Sequence, residues 1–204
     1  MSCKSFLDCL NYLKQKREKT SHKCKQKGSR ADSAGGFPGC PCGDLSRSKR
    51  CIDYADTRSK ASCSENNKTY TLDKTGDDFQ TICMHVDGGI VDKTDHRERC
   101  DYAFFLHGGS IKTDDCAIFI ELKGVKTKKA LEQLLSTVSD DIFGDVPKTH
   151  KKIFCRIVNS SSAPRIRSTP EYTRLQKWCM DHDGNLKMGE RTFLEKYAEL
   201  DKLK

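Results

Sequence analysis

Four nearly continuous apolar runs between about residues 80 and 160 constrain the fold more than any other feature of this sequence. Three of them, QTICMHVDGGIV, RCDYAFFL and CAIFIELKG, precede a stretch with apolar residues at helical spacing, VKTKKALEQLLSTV, and the fourth, KKIFCRIV, follows it. Runs that are apolar on both faces are typical of central strands covered on both sides. The order strand–strand–strand–helix–strand therefore predicts an α/β fold with a central mixed β-sheet flanked by helices.

The segments on either side of these runs give weaker patterns. Residues 4–19 carry apolar side chains on one stripe and lysines opposite, which predicts a short amphipathic helix. Residues from about 20 to 50 are rich in Ser, Gly, Lys and Arg with almost no aliphatic side chains, which predicts a loop, a linker or a metal-stapled knuckle. Pro170 opens a predicted helix that stops near Gly184, and a last predicted helix covers about 189–203.

These patterns divide the chain into three predicted parts. Residues 1–64 form a basic, cysteine-rich segment with a short helix and a loop, residues 65–160 form the α/β core, and residues 161–204 form helices that pack on the core. The sequence has no apolar run of roughly eighteen residues, the length that a membrane-spanning helix needs. The apolar stretch at the N-terminus is broken by Asp8 and Asn11, so we expect no secretory signal and a cytoplasmic protein.

The positive charge is concentrated at the start of the chain. Residues 1–60 hold 14 Lys and Arg against 6 Asp and Glu, whereas residues 61–204 hold 23 of each sign, so the first part carries the whole net charge of +8. A concentrated positive field attracts polyanions such as nucleic acid. A solvated basic tail without a partner is the alternative that this composition leaves open.

Twelve cysteines are many for a chain of this length. Without a signal peptide their thiols are expected to stay reduced. Four lie inside apolar runs, which predicts small core side chains: Cys83, Cys100, Cys116 and Cys155. Residues of the N-terminal segment offer ligands for a structural Zn²⁺: His22, Cys24, Cys40, Cys42 and Cys51. Because only one residue separates the two cysteines of the CPC motif, the spacing departs from Cys-x-x-Cys pairs, and free thiols are the favoured interpretation.

The run IFIELKG places two charges in an otherwise apolar strand. Alternate side chains of a strand share a face, so Glu121 and Lys123 are expected to point one way and Ile118, Ile120 and Leu122 the other. Charges in the middle of a buried strand are costly unless they are paired or bind a metal ion. A structural Glu–Lys pair on a half-exposed sheet is the alternative to a functional site.

Asp101 lies near the start of the preceding strand, so its carboxylate is expected to approach that of Glu121. Two close carboxylates repel each other unless a cation neutralises them. Mg²⁺ takes oxygen ligands and usually binds through one or two carboxylates together with water and substrate phosphate. Such an ion would lower the pKa of a bound water and stabilise charge on a phosphate under attack. Lys123 would hold the attacking water or offset the developing negative charge.

Asp101, followed twenty residues later by Glu-x-Lys on an apolar strand, resembles the motif of the PD-(D/E)XK nuclease superfamily, the fold of many restriction endonucleases. The motifs VDGG, CDY, IELKG and EQL also resemble those of small bacterial proteins assigned to this superfamily, over roughly residues 80–158. The resemblance implies a restriction-endonuclease-like core and a metal-dependent phosphodiesterase, an endonuclease that uses Mg²⁺ or Mn²⁺. It implies DNA, or less favourably RNA, as substrate and bacterial defence against foreign nucleic acid as the setting.

The resemblance also assigns residues around the central three. The superfamily often places a polar residue on the helix after Glu-x-Lys, and Gln133, which shares a helix face with Lys129, matches it; a solvated helix residue is the alternative. An upstream acidic residue usually adds to the site, and here Asp87 and Glu65 compete, with Asp87 favoured and a plain turn residue as its alternative. The chain departs from the motif at Cys100, where the superfamily has a proline.

Basic side chains near the predicted site are candidates for contacts with nucleic acid: Lys126, Lys129, Arg165 and Arg167. Four histidines lie in polar turns and are expected at the surface: His96, His107, His150 and His182. Two functions remain open, an endonuclease and a non-catalytic nucleic-acid-binding protein or subunit with the same fold. Either one could act as a homodimer or within a larger assembly.

Overall fold

The structure of the protein is a computed structural model. It describes residues 7–11, 13, 29–30, 51–77, 79–92, 94–108, 115–123, 126–160 and 164–202. In this part of the chain, no helix combines the length and the hydropathy needed to cross a membrane. The predicted loop or knuckle of residues 20–50 lies outside the described residues apart from positions 29 and 30, and so do His22, Cys24, Cys40 and Cys42.

The described residues form ten strands and three α-helices, preceded by helical residues 7–11 and 13. The strands are β1 (Ser29–Arg30), β2 (Ile52–Asp56), β3 (Lys60–Glu65), β4 (Lys68–Asp73), β5 (Gln80–His85), β6 (Tyr102–His107), β7 (Cys116–Leu122), β8 (Lys152–Asn159), β9 (Leu186–Glu190) and β10 (Thr192–Lys196). The helices are α1 (Thr127–Val138), α2 (Val146–Thr149) and α3 (Pro170–Met180), with 3-10 turns at Asp141–Phe143, Pro164–Ser168 and Tyr197–Glu199.

The central sheet is mixed, with the strand order β1-β2-β5-β6-β7-β8-β9. Strands β5, β6 and β7 run antiparallel to one another, whereas α1 carries the chain across to β8, which lies parallel to β7. Every residue of β6 and β7 is buried, because helices pack on one face of the sheet and a second sheet packs on the other. The predicted α/β fold, its mixed sheet flanked by helices and the order strand–strand–strand–helix–strand are confirmed.

Side chains of β7 alternate between two hydrophobic cores. Ala117 and Phe119 pack on the helix face, in the core that contains the apolar side of α1. Ile118, Ile120 and Leu122 pack on the opposite face, against the second sheet. Each of these large side chains contributes roughly 1.5–3 kcal/mol by leaving water, so a one-residue slip of this strand would exchange two buried faces and is strongly disfavoured.

A three-stranded sheet, with the order β10-β4-β3, covers the second face. Strands β3 and β4 form an antiparallel hairpin, and its turn residues Asn66 and Asn67 have φ angles of 48° and 60°, the left-handed region that a two-residue hairpin turn requires. The predicted short helix plus loop for residues 1–64 is therefore wrong for residues 52–64. The predicted boundary after residue 64 falls inside this hairpin.

The C-terminal residues form one helix and two strands. Helix α3 confirms the helix predicted to begin at Pro170, and the Thr169 side chain caps its N-terminus. The helix predicted over about 189–203 is wrong, and with it the wholly helical C-terminal extension, because β9 pairs with β8 and β10 pairs with β4. Both pairings are parallel and join residues far apart in sequence, so tertiary contacts override the local helical pattern.

Two small features of the backbone make the turn between β9 and β10. Arg191 adopts a φ of 41°, which reverses the chain in a conformation that side-chain-bearing residues seldom take. Gly189 leaves room for the ring of Phe193, which would collide with a Cβ at that position. The two strands can therefore follow each other directly and join different sheets.

Burial of the cysteines and histidines corrects one prediction and confirms another. The four core cysteines are buried as predicted, and four more cysteines are buried as well: Cys9, Cys51, Cys63 and Cys179. His107 and His150, which the sequence placed at the surface, are only 4 % and 2 % exposed. Their rings lie 5.0 Å apart, and His107 Nδ1 lies 3.1 Å from Asp115 Oδ2, because His107 is the last residue of the buried strand β6 rather than part of a polar turn.

The predicted N-terminal helix is confirmed for its described residues. Residues 7–11 and 13 are helical, and Leu10 and Leu13 are buried in the core on the helix face. The Gln80 side chain donates from Nε2 to the backbone oxygen of Leu13 at 3.3 Å. The rest of the predicted span, 4–19, lies outside the described residues.

A buried ion pair joins the two sheets. Arg156 on β8 donates from Nε to Glu195 Oε2 on β10 at 2.6 Å and from Nη2 to Oε1 at 3.1 Å. The Tyr70 hydroxyl donates to the same carboxylate at 2.9 Å, and Lys187 Nζ lies 2.7 Å from it. Burial tends to raise the pKa of Glu195, but Arg156 and Lys187 hold it below the ordinary value. Because each charge is bound by several partners, the cluster meets the condition for a stable buried pair.

Removal of the Glu195 charge should destabilise the protein strongly. Glu195→Gln leaves the Arg156 guanidinium buried without its counter-charge, and the free energy of unfolding should fall by about 3–5 kcal/mol, measured from urea unfolding midpoints. The control is Asp201→Asn, which removes the exposed pair formed with Lys152 Nζ at 2.8 Å and should cost less than about 1 kcal/mol. Equal losses in the two variants would contradict this role for the buried pair.

Candidate active site

The antiparallel register of β6 and β7 sets the position of the candidate site. Tyr102 pairs with Ile120, so Asp101, one residue earlier, lies opposite Glu121. Asp101 Oδ2 accepts a hydrogen bond from the backbone N–H of Leu122 at 2.7 Å, which holds its carboxylate at the carboxyl end of β7. The structure thus brings together the two carboxylates that the sequence placed on neighbouring strands.

Glu121 is buried in an unusual state for a charged group. Its side chain has 0 % exposure, and Lys123 Nζ, whose side chain is 26 % exposed, lies 3.1 Å from its Oε1. By strand alternation both side chains belong to the helix face, together with Ala117 and Phe119. Among the described residues, neither carboxylate oxygen of Glu121 receives a well-aligned hydrogen bond. A carboxylate left in this condition is costly, so the site is built around an under-satisfied carboxyl group.

The pKa values of both carboxyl groups are raised. Burial raises the pKa of Glu121 to about 8, and the neighbouring charge of Asp101 adds to the rise, while Lys123 opposes it. Burial also raises the pKa of Asp101 to about 6, against the hydrogen bond from the Leu122 N–H. Each effect has the sign expected for two carboxylates that share a poorly hydrated site. The pair therefore retains protons at pH values where ordinary carboxyl groups have lost theirs.

The two candidates for an upstream acid lie at the rim of this site. Glu65 ends β3 and Asp87 follows β5, and both side chains are exposed. Their charges raise the pKa of Asp101, that of Glu65 more than that of Asp87. The Tyr102 hydroxyl donates to the backbone oxygen of Ser64 at 3.4 Å, which holds the hairpin with Glu65 over the start of β6.

The predicted third metal ligand is not brought into the site. Within the described ranges, no three His, Cys, Asp or Glu side chains lie close enough together to form a metal-binding group. Asp87 instead lies in the turn after β5, where Gly88 has a φ of 76° and Asp87 forms a bridge with Val91. Asp101 and Glu121 remain as the two carboxylates of the candidate site.

Gln133 on α1 faces the protein interior, so the alternative of a solvated residue is wrong. Its Nε2 donates to the backbone oxygen of Arg99 at 2.9 Å, two residues before Asp101. Thr137, one turn further along α1, accepts a hydrogen bond from the Cys100 N–H at 2.8 Å. These two bonds hold the backbone that leads into Asp101, so the contacts of Gln133 are those of a positioning residue.

Sequence reasoning missed Thr137 and the buried guanidinium of Arg99. Arg99 pairs with Asp140 beyond the end of α1 and donates to Ser136 Oγ at 2.6 Å. The available signal was the polar pair Gln133 and Thr137, four residues apart on the apolar side of α1. Polar groups on a buried helix face need partners, and here the partners are the residues just before Asp101.

The basic candidates for nucleic-acid contacts differ in their surroundings. Lys126, at the N-terminus of α1, is exposed. Lys129 Nζ lies 3.1 Å from Glu98 Oε1, so its charge is already paired. Arg167 is exposed on the 3-10 turn before α3, and the Arg165 side chain lies outside the described residues. The structure therefore leaves Lys126 and Arg167 with open cationic groups in the described part of the chain.

Comparison of the chain with protein-family models, with curated proteins and with solved structures yields no match in any of the three. The resemblance to the PD-(D/E)XK superfamily therefore rests on the motifs alone. Any function has to be argued from the geometry of the site.

Replacement of Glu121 by glutamine should stabilise the protein at alkaline pH. Because the folded protein holds the Glu121 proton more tightly than the unfolded chain, the free energy of unfolding falls as pH rises from the ordinary value of 4.5 through about 8. Glutamine keeps the shape without the charge. The advantage of Glu121→Gln should therefore be small near pH 4 and should exceed about 2–4 °C in melting temperature above pH 8, the shift produced by roughly 1 kcal/mol in a domain of this size.

The measurement is thermal unfolding followed by circular dichroism in buffer that contains EDTA. Glu132→Gln is the matched control, because this carboxylate lies on α1 with a side chain that is 50 % exposed, and its effect should not grow with pH. A melting temperature of Glu121→Gln that tracks the wild type at every pH would show that the Glu121 charge carries no burial cost.

Proposed function

We propose that the protein is a metal-dependent nuclease of the PD-(D/E)XK type, with Asp101, Glu121 and Lys123 at the centre of its active site. One observation carries the proposal: the buried Glu121 carboxylate lies opposite Asp101, and no described group gives it a well-aligned hydrogen bond. A purely structural carboxylate in the same protein, that of Glu195, is bound by Arg156, Lys187 and Tyr70. Glu121 has fewer partners, with Lys123 Nζ 3.1 Å from its Oε1, and can accept a bound cation as a further one.

The residues fit a hard divalent cation. Mg²⁺ is usually bound through one or two carboxylates, with waters and substrate phosphate in its other positions, and Asp101 and Glu121 supply two. The raised pKa values of both groups support the proposal, because a cation between them would replace the protons that reduce their repulsion. Mn²⁺ takes the same oxygen ligands and is the second metal of choice.

The roles of the side chains follow from their places in the site. A divalent cation, when bound, lowers the pKa of a water molecule and stabilises charge on the phosphate. Glu121 and Asp101 hold the cation, and the Leu122 N–H fixes the orientation of the Asp101 carboxylate. Lys123 reaches solvent beside Glu121, where its ammonium group binds the attacked phosphate or the attacking water. Gln133 acts at a distance, through the backbone before Asp101.

The proposed substrate is DNA, with RNA as the less favoured choice. The surplus of eight positive charges lies in residues 1–60, a segment that would add affinity for the phosphate backbone at modest salt. Lys126 and Arg167 extend this attraction to the surface around the site. Defence of a bacterial cytoplasm against foreign nucleic acid is the setting that we propose on the motif resemblance.

A second candidate function has one observation in its favour. No third acidic side chain joins Asp101 and Glu121 in the residues that the structure describes. A protein that keeps the fold but binds nucleic acid without cutting it would need no complete metal site. Its binding would weaken steeply with salt and would not depend on divalent ions.

The nuclease should cut single- or double-stranded DNA or RNA in the presence of Mg²⁺ or Mn²⁺. Asp101→Asn, Glu121→Gln and Lys123→Met should each lower the cleavage rate by about 100-fold or more, the order of loss seen when one electrostatic contact is removed from a transition state. Cleavage is measured on gels with end-labelled oligonucleotides, and circular dichroism checks the fold of each variant. Glu132→Gln, a change of the same chemistry on α1, should cut at the wild-type rate.

Two results would reject the enzyme. One is intact nucleic acid after incubation of the wild type with every divalent ion tested, and the other is wild-type cleavage by Asp101→Asn. Salt-sensitive binding with equal affinity in EDTA and in Mn²⁺, together with intact substrate, would establish the second candidate instead.

A further inference from the structure

A pocket beside the edge strand β9 takes no part in the proposed chemistry. It has a volume of about 180 Å³ and opens between α3, β9 and β10. Drug-sized ligands occupy about 300–1,000 Å³, so this pocket suits a group no larger than one or two fused rings. We infer that it binds an unpaired nucleobase of the nucleic-acid strand, an inference that rests on the proposed function.

The pocket lies in line with the candidate active site. In the parallel part of the sheet Glu121 is paired with Ile157, and Ile157 is paired with Met188, which lines the pocket. Residues in one row of a parallel sheet share a face, and two strand spacings of roughly 4.8 Å separate Glu121 from Met188 by about 10 Å. Ile157 and Met188 both pack in the core on the helix face. The pocket and the candidate active site are therefore neighbours across β8, about 10 Å apart at the backbone.

The walls of the pocket suit a flat aromatic ring. Tyr172 on α3 and Phe193 on β10 line it, and both rings are partly exposed. Leu194, the next residue on β10, is 55 % exposed at the rim. Aromatic rings bind bases by stacking, which contributes about 1–3 kcal/mol per base without much regard to sequence.

Two polar side chains at the pocket have open hydrogen-bonding groups. Neither the Gln176 amide nor the Arg167 guanidinium makes a hydrogen bond or an ion pair with another described residue. An amide can donate to and accept from a base edge, and an exposed guanidinium is a common partner of phosphate. A base in the pocket with its phosphate at Arg167 satisfies both.

Charges at the floor of the pocket favour a neutral ring over an anion. Lys187 and Glu195 both line it, but their charges are paired at 2.7 Å. Glu195 also binds Arg156, and Lys187 Nζ donates to the backbone oxygen of Glu199 at 2.6 Å. A free anionic group would therefore find both of these charges paired and would face the carboxylate of Glu199, which also lines the pocket, whereas a neutral base carries no charge for that carboxylate to repel.

The test measures the binding of 5′-fluorescein-labelled single-stranded hexamers by fluorescence anisotropy in EDTA, where no cleavage occurs. One hexamer carries thymine bases, one carries adenine bases, and one has abasic spacers on the same phosphate backbone. Tyr172→Leu should weaken the binding of the base-bearing hexamers by about 5- to 100-fold, as expected for the loss of one stacked base. Arg167→Ala should weaken it by about tenfold or more through the loss of a contact with phosphate. The abasic hexamer should bind the wild type as weakly as Tyr172→Leu binds the thymine hexamer.

Arg174→Ala is the matched control, because Arg174 is an exposed arginine on α3 that does not line the pocket. It should change affinity by less than about twofold, and Tyr172→Leu should unfold within a few degrees of the wild type. Equal losses of hexamer affinity in Arg174→Ala and Arg167→Ala would show that the attraction is diffuse and electrostatic, which would contradict the base-binding role of the pocket. Equal affinity of the wild type for the base-bearing and abasic hexamers would contradict it too. Absence of hexamer binding by the wild type would overturn it as well.

The outcomes separate the pocket from the nuclease. Glu132→Gln, which removes an exposed carboxylate of α1 that does not line the pocket, should bind the hexamers as tightly as the wild type. Base-dependent binding without any cleavage would support the pocket as a base-binding site and would contradict the proposed nuclease activity. Metal-dependent cleavage with unchanged hexamer affinity in Tyr172→Leu and Arg167→Ala would contradict the base-binding role of the pocket and would support the nuclease activity.

Discussion

The pairing of Tyr102 with Ile120 is the constraint on which the candidate site depends. Strands β6 and β7 are antiparallel and wholly buried. A one-residue shift in their register would move every side chain of a strand to the opposite face of the sheet and disrupt both cores. That register sets Asp101 opposite Glu121, and α1 reinforces it through Gln133 and Thr137, which bind the backbone before Asp101. Packing energy from the whole sheet thus holds together two groups that repel each other.

Two buried glutamates of this protein, Glu195 and Glu121, differ in their partners and in the direction of their pKa shifts. Glu195 is surrounded by donors, and its pKa stays below the ordinary value despite burial. Glu121 has one cation, Lys123, and one like charge, Asp101, beside it, and its pKa rises to about 8. Both side chains are almost fully buried, so the neighbouring charges decide the direction of the pKa shift: two cations lower that of Glu195, and the carboxylate of Asp101 helps to raise that of Glu121. A carboxylate that folding leaves under-satisfied is a feature of binding sites more often than of structural pairs.

The sequence predicted the parts of the fold in which one pattern dominates. Apolar runs identified the strands that became β5 to β8, and the pairing of Glu121 with Lys123 followed from strand alternation. The β3–β4 hairpin was missed because KASCSE and KTYTLD are short, polar on one face and joined by Asn66 and Asn67 rather than by an Asn-Gly turn. The strands after residue 185 were missed because their pairing is parallel and long-range, which local patterns do not record.

Prediction of the candidate site from the sequence had similar limits. Asp101 and Glu121 were found because they lie on adjacent strands, where a sequence can indicate proximity. Neither the alignment of Met188 with Glu121 nor the pocket beside it could be found in that way, since both depend on the parallel pairing of β7, β8 and β9. Crevices at the carboxyl ends of parallel strands are where α/β sheets bind ligands. The carboxyl ends of β7, β8 and β9 lie on the same side of the sheet, because the three strands are parallel. One nucleic-acid strand that runs across these ends would meet the two carboxylates at β7 and the aromatic pocket at β9.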